Sequence, residues 1–189
     1  MKLNKLIAIA TISLLSGGIS MAQKALNLED IVAGNVIQTK GIGSMTWLKD
    51  GERYSRLENN KQTGGTDIVV YQAKDNSREV IIPSSLLTDK STGKPIPARS
   101  ISWSADNEKV LIYNNTQRVW RYDTRGDYWV LNLKDGALRQ LGKGMPESSM
   151  MFAKFSPDGT RVAYVSNNNI YVEDIDLSLI HISAPTRPY

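Results

Sequence analysis

Three arginines and two aspartates lie among aromatic residues in the stretch TQRVWRYDTRGDYWVLNL, residues 116–133. A guanidinium beside aromatic rings can stack on a ring while its five N–H donors point at a carbonyl or carboxylate oxygen. Binding residues concentrate on loops that a rigid scaffold positions. We therefore predict a binding segment here, with Arg118, Arg121 and Arg125 as its charged residues and Trp120 among its apolar anchors.

Other short motifs do not indicate a catalytic, cofactor or metal site. The tripeptide RGD at 125–127 borders an apparently buried strand, so we do not interpret it as an adhesion motif. The acidic run EDID at 173–176 lacks the ligand spacing of an EF-hand, and GIGS at 41–44 lacks the lysine of a phosphate-binding loop. The only histidine is His181 and cysteine is absent, so no nucleophile–histidine pair is predicted and no cofactor is expected.

The first 22 residues are typical of a secretory signal peptide. Lys2 and Lys5 precede an apolar run that is too short to span a bilayer, and a small-x-small cleavage site ends at Ala22. We predict cleavage before Gln23 and export to the periplasm or the cell exterior. Without cysteine, the exported protein has no disulfide.

The last residues, LSLIHISAPTRPY at 177–189, follow no strand or turn pattern. They resemble the translation of a transposon end used in sequencing libraries, followed by adapter sequence. We therefore predict that residues 177–189 are not native and that the natural chain continues beyond Asp176. A genuine C-terminal peptide is the alternative.

The charge of the remaining chain gives no indication of a nucleic-acid or anionic-membrane partner. Without Lys2, Lys5 and Arg187, the 23 basic residues fall to 20, against 19 acidic ones. The predicted mature chain is nearly neutral, so long-range attraction to a polyanion is not expected.

A repeat of about fifty residues organises the middle of the chain. Three similar segments, MTWLKDGERYSRLENN, ISWSADNEKVLIYNN and AKFSPDGTRVAYVSNN, are anchored by Trp47, Trp103 and Phe155. Each combines an aromatic residue, a turn around an aspartate and an apolar strand. Further strands are predicted near Ile68–Tyr71, Tyr128–Leu133 and Ile170–Val172, and Asp-Gly pairs supply positive-φ turns.

Four short strands per unit at this period predict an all-β fold, a partial β-propeller. We expect about two complete blades and part of a third, within residues 23–176. Fewer than four blades cannot close a ring, so the repeat count independently predicts a longer natural chain. A two-sheet sandwich is the structural alternative.

The second unit differs from the others between its second and third strands. The third unit joins these strands by the short NNN, whereas the second uses NNTQRVWRYDTRG, about ten residues longer. The first unit has an insertion too, ENNKQTGGT, but it is polar and glycine-rich and predicts a plain loop. The insertion of the second unit is therefore the favoured binding segment.

The ordered combination of VWRYDTRGDYWVLNL, the SPDG blade and NNIYV resembles the N-terminal propeller of the dipeptidyl peptidase IV branch of the prolyl oligopeptidase family. The resemblance covers residues 26–176 and includes the opening LNLEDIVAG, which is similar to the helix and strand that begin these proteins. It implies an eight-bladed propeller that caps an α/β-hydrolase domain. The catalytic Ser, Asp and His would then lie beyond Asp176, and this chain alone would be inactive.

The resemblance also implies a role for Arg121. In the family, the arginine after the tryptophan hydrogen-bonds a backbone carbonyl of the bound peptide's N-terminal dipeptide. Trp120 would help to orient the Arg121 side chain. Family members often have His or Ser where this chain has Tyr122, so the neighbouring contacts are not carried over. The alternative is that Arg121 pairs with Asp123 or Asp127 and only braces the insertion.

The other arginines and the tryptophans of this stretch have different expected roles. Arg118 and Arg125 are expected to be solvated or loop-bracing. Trp120 and Trp129 are expected to pack.

Two functions fit these expectations. In the first, the parent protein is an exported serine exopeptidase that removes N-terminal dipeptides after Pro or Ala from peptides with a free N-terminus; a tripeptidyl peptidase is the variant within the family. The missing hydrolase domain would be its main partner, and the full-length protein would form homodimers. In the second, the protein is a non-catalytic exported propeller that acts as a binding scaffold.

Overall fold

The computed structural model describes residues 43–176, the backbone of 180–182 and the isolated residues Asn27, Leu28, Val32 and Gly41. All elements given below belong to the compact unit Ile42–Tyr189. The predicted signal peptide at 1–22 lies outside the described residues, and of the predicted helix and strand at LNLEDIVAG only Asn27, Leu28 and Val32 are described. No helix among the described residues is long and apolar enough to cross a membrane.

Three antiparallel sheets, here called blades, follow one another along the chain, and in each the strands are hydrogen-bonded in sequence order. Blade 1 contains β1 (Met45–Trp47), β2 (Arg53–Asn59), β3 (Thr66–Gln72) and β4 (Arg78–Ile82), followed by a short 3-10 helix at Ser84–Leu86. Blade 2 contains β5 (Ser100–Trp103), β6 (Lys109–Val119), β7 (Tyr122–Asn132) and β8 (Leu138–Gln140). Blade 3 contains β9 (Met151–Phe155), β10 (Arg161–Ser166), β11 (Asn169–Asp174) and β12 (Ile180–Ile182).

The predicted turns have the backbone geometry that their residues favour. Gly51, Gly136 and Gly159 have φ angles of 72°, 67° and 67°, and Asn107 has a φ of 58° in the equivalent turn of blade 2. Glycine takes this conformation without a steric penalty, and asparagine takes it more readily than other residues. The local sequence therefore specifies where each blade reverses direction.

Blade 2 buries both of its faces, as expected for a propeller blade. On one face Val110, Ile112 and Leu131 join a core with residues of blade 1. On the other face Leu111, Tyr128 and Val130 join a second core with residues of blade 3. Because successive residues of a strand point to opposite faces, continuous apolar runs such as VLI satisfy two cores at once. The sandwich alternative, with one core between two sheets, is not the observed arrangement.

The three anchoring aromatic residues have different environments. Trp103 is buried, and its indole Nε1 donates a hydrogen bond of 2.9 Å to Ser55 Oγ of blade 1. Phe155 is partly buried against the second core. Trp47 is 53% exposed, because it lies on the face of blade 1 directed away from blade 2. The repeat predicted equivalent positions correctly, but burial depends on whether a neighbouring blade covers that position.

The third blade has a fourth strand that the sequence did not predict. The backbone of Ile180–Ile182 pairs antiparallel with β11, with His181 opposite Val172. Strand pairing uses backbone groups alone, so an extended segment can complete an open sheet edge without a recognisable sequence pattern. The prediction that residues 177–189 are not native is not tested by this pairing.

Candidate functional site: an arginine-lined groove at the arm of blade 2

The insertion of blade 2 is a regular extension of two strands. Strand β5 pairs with β6 only up to Tyr113, and β8 pairs with β7 only from Trp129 onward. Residues 115–126, here called the arm, therefore form a two-stranded ribbon that continues beyond the sheet. Two-stranded ribbons are marginally stable in water, so the arm needs additional contacts to hold its position.

The tip of the arm is the pair Trp120–Arg121, since Val119 pairs with Tyr122 across the turn. Trp120 has a φ of 63° and its side chain is 95% exposed. A bulky residue rarely adopts this left-handed conformation. The expectation that Trp120 packs is therefore wrong: its indole packs against none of the described residues, and the residue shapes the turn through its backbone. Trp129 does pack, against the first core.

Tyr113 anchors the base of the arm. Its hydroxyl lies 2.9 Å from the carbonyl oxygens of Asp123 and Arg125 and donates to them. Its ring stacks on Tyr128, with the ring centroids 4.7 Å apart. Burial, helped by the negative charge of Asp123, raises the pKa of Tyr113 to about 12. The hydroxyl therefore stays a neutral donor at physiological pH and fixes the start of β7.

Gly126 lies where the arm joins the sheet. A Cβ at this position would meet the Tyr113 ring at 2.4 Å and the Asn114 carbonyl oxygen at 2.7 Å. Gly126 also forms an isolated bridge with Met150 of the next segment, through hydrogen bonds of 3.0 and 3.1 Å. The glycine of the RGD tripeptide thus has a packing role inside the strand.

Asp127 holds the bulge of β6 and does not pair with an arginine. Its carboxylate accepts hydrogen bonds from Asn115 Nδ2 at 2.6 Å and from the backbone N–H of Ser148 at 2.8 Å. Asp123 instead forms an ion pair with Arg99, at 3.4 Å. The alternative in which Arg121 braces the insertion by pairing with Asp123 or Asp127 is therefore not the observed geometry.

A groove of about 590 Å³ lies between the arm and the start of blade 2. Its charged lining consists of Arg99, Arg118, Arg121 and Asp123. Within residues 43–176 the guanidinium groups of Arg118 and Arg121 make no hydrogen bond or ion pair, and both side chains are exposed. Three guanidinium groups face one carboxylate, and that carboxylate is already paired. The groove thus presents unsatisfied, charge-assisted donors to a carbonyl or carboxylate ligand.

The structure brings only part of the predicted segment to the groove. Arg118 and Arg121 line it and are exposed to solvent, whereas Arg125 and Trp120 do not line it. Arg99 and Ser44 also line the groove and were not predicted. No local motif marks them, because they reach the groove from the loops that precede β5 and β1. Among the described residues no group of three or more metal-ligating side chains could hold a metal ion.

The family model of the dipeptidyl peptidase IV (DPP IV) N-terminal region matches residues 104–184. A "Probable dipeptidyl-aminopeptidase B" from Tuber melanosporum is 26% identical over 126 residues, which are 65% of this chain and 14% of that protein. Dipeptidyl aminopeptidase B from Saccharomyces cerevisiae is 27% identical over 152 residues, which are 75% of this chain and 17% of that protein. The chain thus spans less than a fifth of the length of these relatives.

A solved structure supports the same fold. The crystal structure of Porphyromonas gingivalis dipeptidyl peptidase 4 superposes with a TM-score of 0.67 at 21% identity, over 85% of this chain and 22% of that one. The matched residues 104–184 contain the whole arm, including Arg121. Residues 104–184 thus match the dipeptidyl peptidase IV N-terminal region, the chain is similar in sequence to dipeptidyl aminopeptidases B, and its fold is that of a β-propeller.

Proposed function

We propose that this chain is the substrate-recognition part of an exported serine exopeptidase that removes N-terminal dipeptides after Pro or Ala. The observation that carries the proposal is the family match over residues 104–184, which includes the arm. The chemistry would be acyl transfer through a Ser-His-Asp triad of an α/β-hydrolase domain that follows in the full-length protein. The propeller would admit and orient short, unstructured peptides with a free N-terminus.

Arg121 is the residue that would hold the peptide. Its guanidinium lines the groove and has no partner within residues 43–176. A charge-assisted hydrogen bond to a backbone carbonyl in a partly dry cavity contributes about 1.5–3 kcal/mol. Trp120 supports this role through the turn, since its backbone conformation determines where the next residue points. Export would follow from the signal peptide at 1–22, and the hydrolase domain and a second subunit would be the partners.

The decisive test of the parent activity is the genomic reading frame across the codon of Asp176. We expect the frame to continue for several hundred residues and to include a Gly-x-Ser-x-Gly elbow of an α/β-hydrolase. A frame that ends with residues 177–189 as printed would contradict the peptidase proposal and favour a non-catalytic binding propeller. Product analysis of the full-length protein on Xaa-Pro and Xaa-Ala peptides would then separate dipeptidyl from tripeptidyl cleavage.

The role of Arg121 is tested by Arg121→Met in the same full-length protein. We expect KM for dipeptide substrates to rise by about tenfold or more, which corresponds to the loss of one charge-assisted hydrogen bond. Arg125→Met is the matched control, because Arg125 belongs to the same arm but does not line the groove. An unchanged KM in Arg121→Met would contradict the proposed role of this arginine.

A further inference from the structure

A second cavity of about 290 Å³ adjoins the arginine-lined groove. Ser100, Tyr113 and Asp123 line both cavities, so the two form one continuous surface. This second cavity, here called the ring pocket, lies between blade 2 and the first strand of blade 3. A ligand held by Arg121 in the groove therefore reaches the ring pocket without crossing a barrier of protein.

The walls of the ring pocket are mainly apolar. They include Ile101 and Leu111 of blade 2, the rings of Tyr113 and Tyr128, and Phe152 of β9. The only carboxylate in the lining is Asp123, which is already paired with Arg99. The volume is close to the lower limit of small-molecule sites, which suits one or two side chains of a ligand.

Phe152 is directed to this pocket by a β-bulge. Between the pairs Ala163–Lys154 and Val165–Met151, two residues of β9 lie opposite the single residue Tyr164. Phe152 is one of the two and has a φ of 58°. Bulges of this kind re-aim a side chain, and they recur beside functional sites. Tyr128 lines the same cavity as Phe152 and Ala153, the two residues of the bulge.

The packing of the protein does not account for Phe152. Its side chain is 63% exposed and takes no part in either core, whereas Phe155 of the same strand packs against the second core. A left-handed conformation at a bulky residue is unfavourable by about 1–2 kcal/mol. Because the ring is mostly exposed, its burial offsets little of this unfavourable conformational free energy. Backbone strain persists at sites where it serves a function. Because the Phe152 ring lines a cavity, the strained conformation of this residue points to a ligand that contacts the ring.

We propose that the ring pocket is a binding subsite for an aromatic or branched aliphatic side chain of the peptide, and that Phe152 is its specificity-determining residue. This inference rests on the proposed function, since the peptide's carbonyl is held by Arg121. The ring of Phe152 covers the bound side chain against Tyr113 and Tyr128, in the offset or edge-to-face arrangements that aromatic groups favour. Polar and charged side chains are disfavoured because the pocket offers no unpaired charge to them.

The test uses the full 189-residue chain and synthetic pentapeptides with a free N-terminus. One series contains a single phenylalanine at each position in turn in an alanine background, and the all-alanine peptide is the reference. Binding is measured by calorimetric titration. We expect the peptide with phenylalanine at one position to bind about tenfold more tightly than the all-alanine reference, and Phe152→Gly to abolish that preference.

Glycine at position 152 relieves the backbone strain, so the variant is expected to melt at the same temperature as the parent or higher. A loss of preference then reflects the missing ring. Phe152→Tyr keeps a ring and should keep the preference. Ile170→Gly is the control for removing an exposed apolar side chain elsewhere in blade 3, and it should leave the preference unchanged. A preference that survives in Phe152→Gly overturns the subsite.

Arg121→Met separates this inference from the proposed function. If Arg121 holds the peptide backbone, this variant weakens every pentapeptide by a similar factor and leaves the phenylalanine preference intact. If Arg121→Met has no effect but Phe152→Gly removes the preference, the subsite stands and the proposed role of Arg121 fails. If no pentapeptide binds the parent chain at millimolar concentration, the subsite is overturned.

Discussion

The hairpins β6–β7 of blade 2 and β10–β11 of blade 3 occupy equivalent positions in the repeat, yet they are built differently. Both use a two-residue connection, Trp120–Arg121 in blade 2 and Asn167–Asn168 in blade 3. The asparagines have φ angles of 49° and 61°, which asparagine tolerates well. Trp120 has a φ of 63°, at a much higher steric cost.

The two hairpins also differ in length and support. Strands β10 and β11 have 6 residues each, whereas β6 and β7 have 11 each. The short hairpin is supported by a buried network around Glu173. The long one depends on Tyr113, on Gly126 and on the Arg99–Asp123 ion pair. The arm thus extends past the strands that flank it in the sheet and is held by contacts at its base.

The largest effect is expected where the short hairpin is attached to blade 2. Glu173 accepts hydrogen bonds from Arg139 at 3.0 Å, from the backbone N–H of Gly142 at 2.9 Å and from the Tyr164 hydroxyl at 3.2 Å. Arg139→Met would leave a buried carboxylate without its counter-ion and lower the free energy of unfolding by about 3–5 kcal/mol. Chemical denaturation of the whole chain measures this change.

An exposed ion pair of the same chain provides the control. Lys134 and Glu108 lie 2.7 Å apart, with side-chain exposures of 67% and 39%. Lys134→Met should lower the free energy of unfolding by less than about 1 kcal/mol. Similar losses in Lys134→Met and Arg139→Met would contradict the idea that the buried network anchors the short hairpin.

The junction of the arm is the next most sensitive place. In Gly126→Ala the new Cβ would overlap the Tyr113 ring and a backbone carbonyl, so one of them must move. We expect a loss of about 3 kcal/mol in the free energy of unfolding, measured by denaturant titration. Gly136→Ala is the matched control, because a Cβ there meets no atom within 4 Å and only the positive φ is penalised, at about 1 kcal/mol. Equal losses in the two variants would contradict the packing role of Gly126.

Removing the Tyr113 hydroxyl should have a smaller effect. Tyr113→Phe keeps the stacked ring but loses the donor to the carbonyls of Asp123 and Arg125, and we expect a loss of about 1 kcal/mol at neutral pH. Tyr54→Phe, which removes a hydroxyl bonded to Asn76 in an exposed position, should cost less. Thermal melts of both variants provide the comparison.

The same variant has a pH signature. The pKa of Tyr113 is raised from 10.0 to about 12 in the folded chain, because burial disfavours the phenolate. The corresponding stabilisation is complete below pH 10 and is lost as the pH rises towards about 12. Tyr113→Phe should lose less stability than the parent across this window. Identical pH profiles would contradict a buried, neutral hydroxyl at the base of the arm.

The smallest effect should have the opposite sign. Trp120→Asn gives the arm the turn chemistry of blade 3, and because the indole is 95% exposed, almost no packing is lost. We expect the melting temperature to rise, with a gain of about 0.5–1 kcal/mol. The reciprocal change Asn167→Trp should lower the melting temperature, with a loss of similar size in the free energy of unfolding. A lower melting temperature for Trp120→Asn would show that the indole makes contacts that stabilise the arm.

Much of the scaffold was predictable because its determinants are local. The turns at Gly51, Asn107 and Gly159 follow from residues that tolerate a positive φ, and strands near Ile68–Tyr71 and Ile170–Val172 follow from short apolar runs. The insertion of blade 2 was located correctly as well. Its form was not, because a long extended hairpin and an irregular loop have similar sequences when the residues alternate between charged and aromatic.

The candidate site was predictable only in part. Arg121 stood out through its neighbours in the sequence, but Arg99 and Phe152 did not. Arg99 reaches the groove from the loop before β5, and Phe152 reaches the ring pocket through a bulge that depends on the register between β9 and β10. Neither position has a signature in the residues that flank it.

The sequence by itself determined the turns, the short strands and the continuous apolar runs of blade 2, since each depends on residues close together in the chain. The tertiary structure decided which of these residues meet. It left Trp120 exposed, paired Asp123 with Arg99 instead of Arg121, and brought Tyr113, Tyr128 and Phe152 to one cavity. These outcomes depend on how separate blades pack and on strand register, which are set by contacts between residues far apart in the sequence.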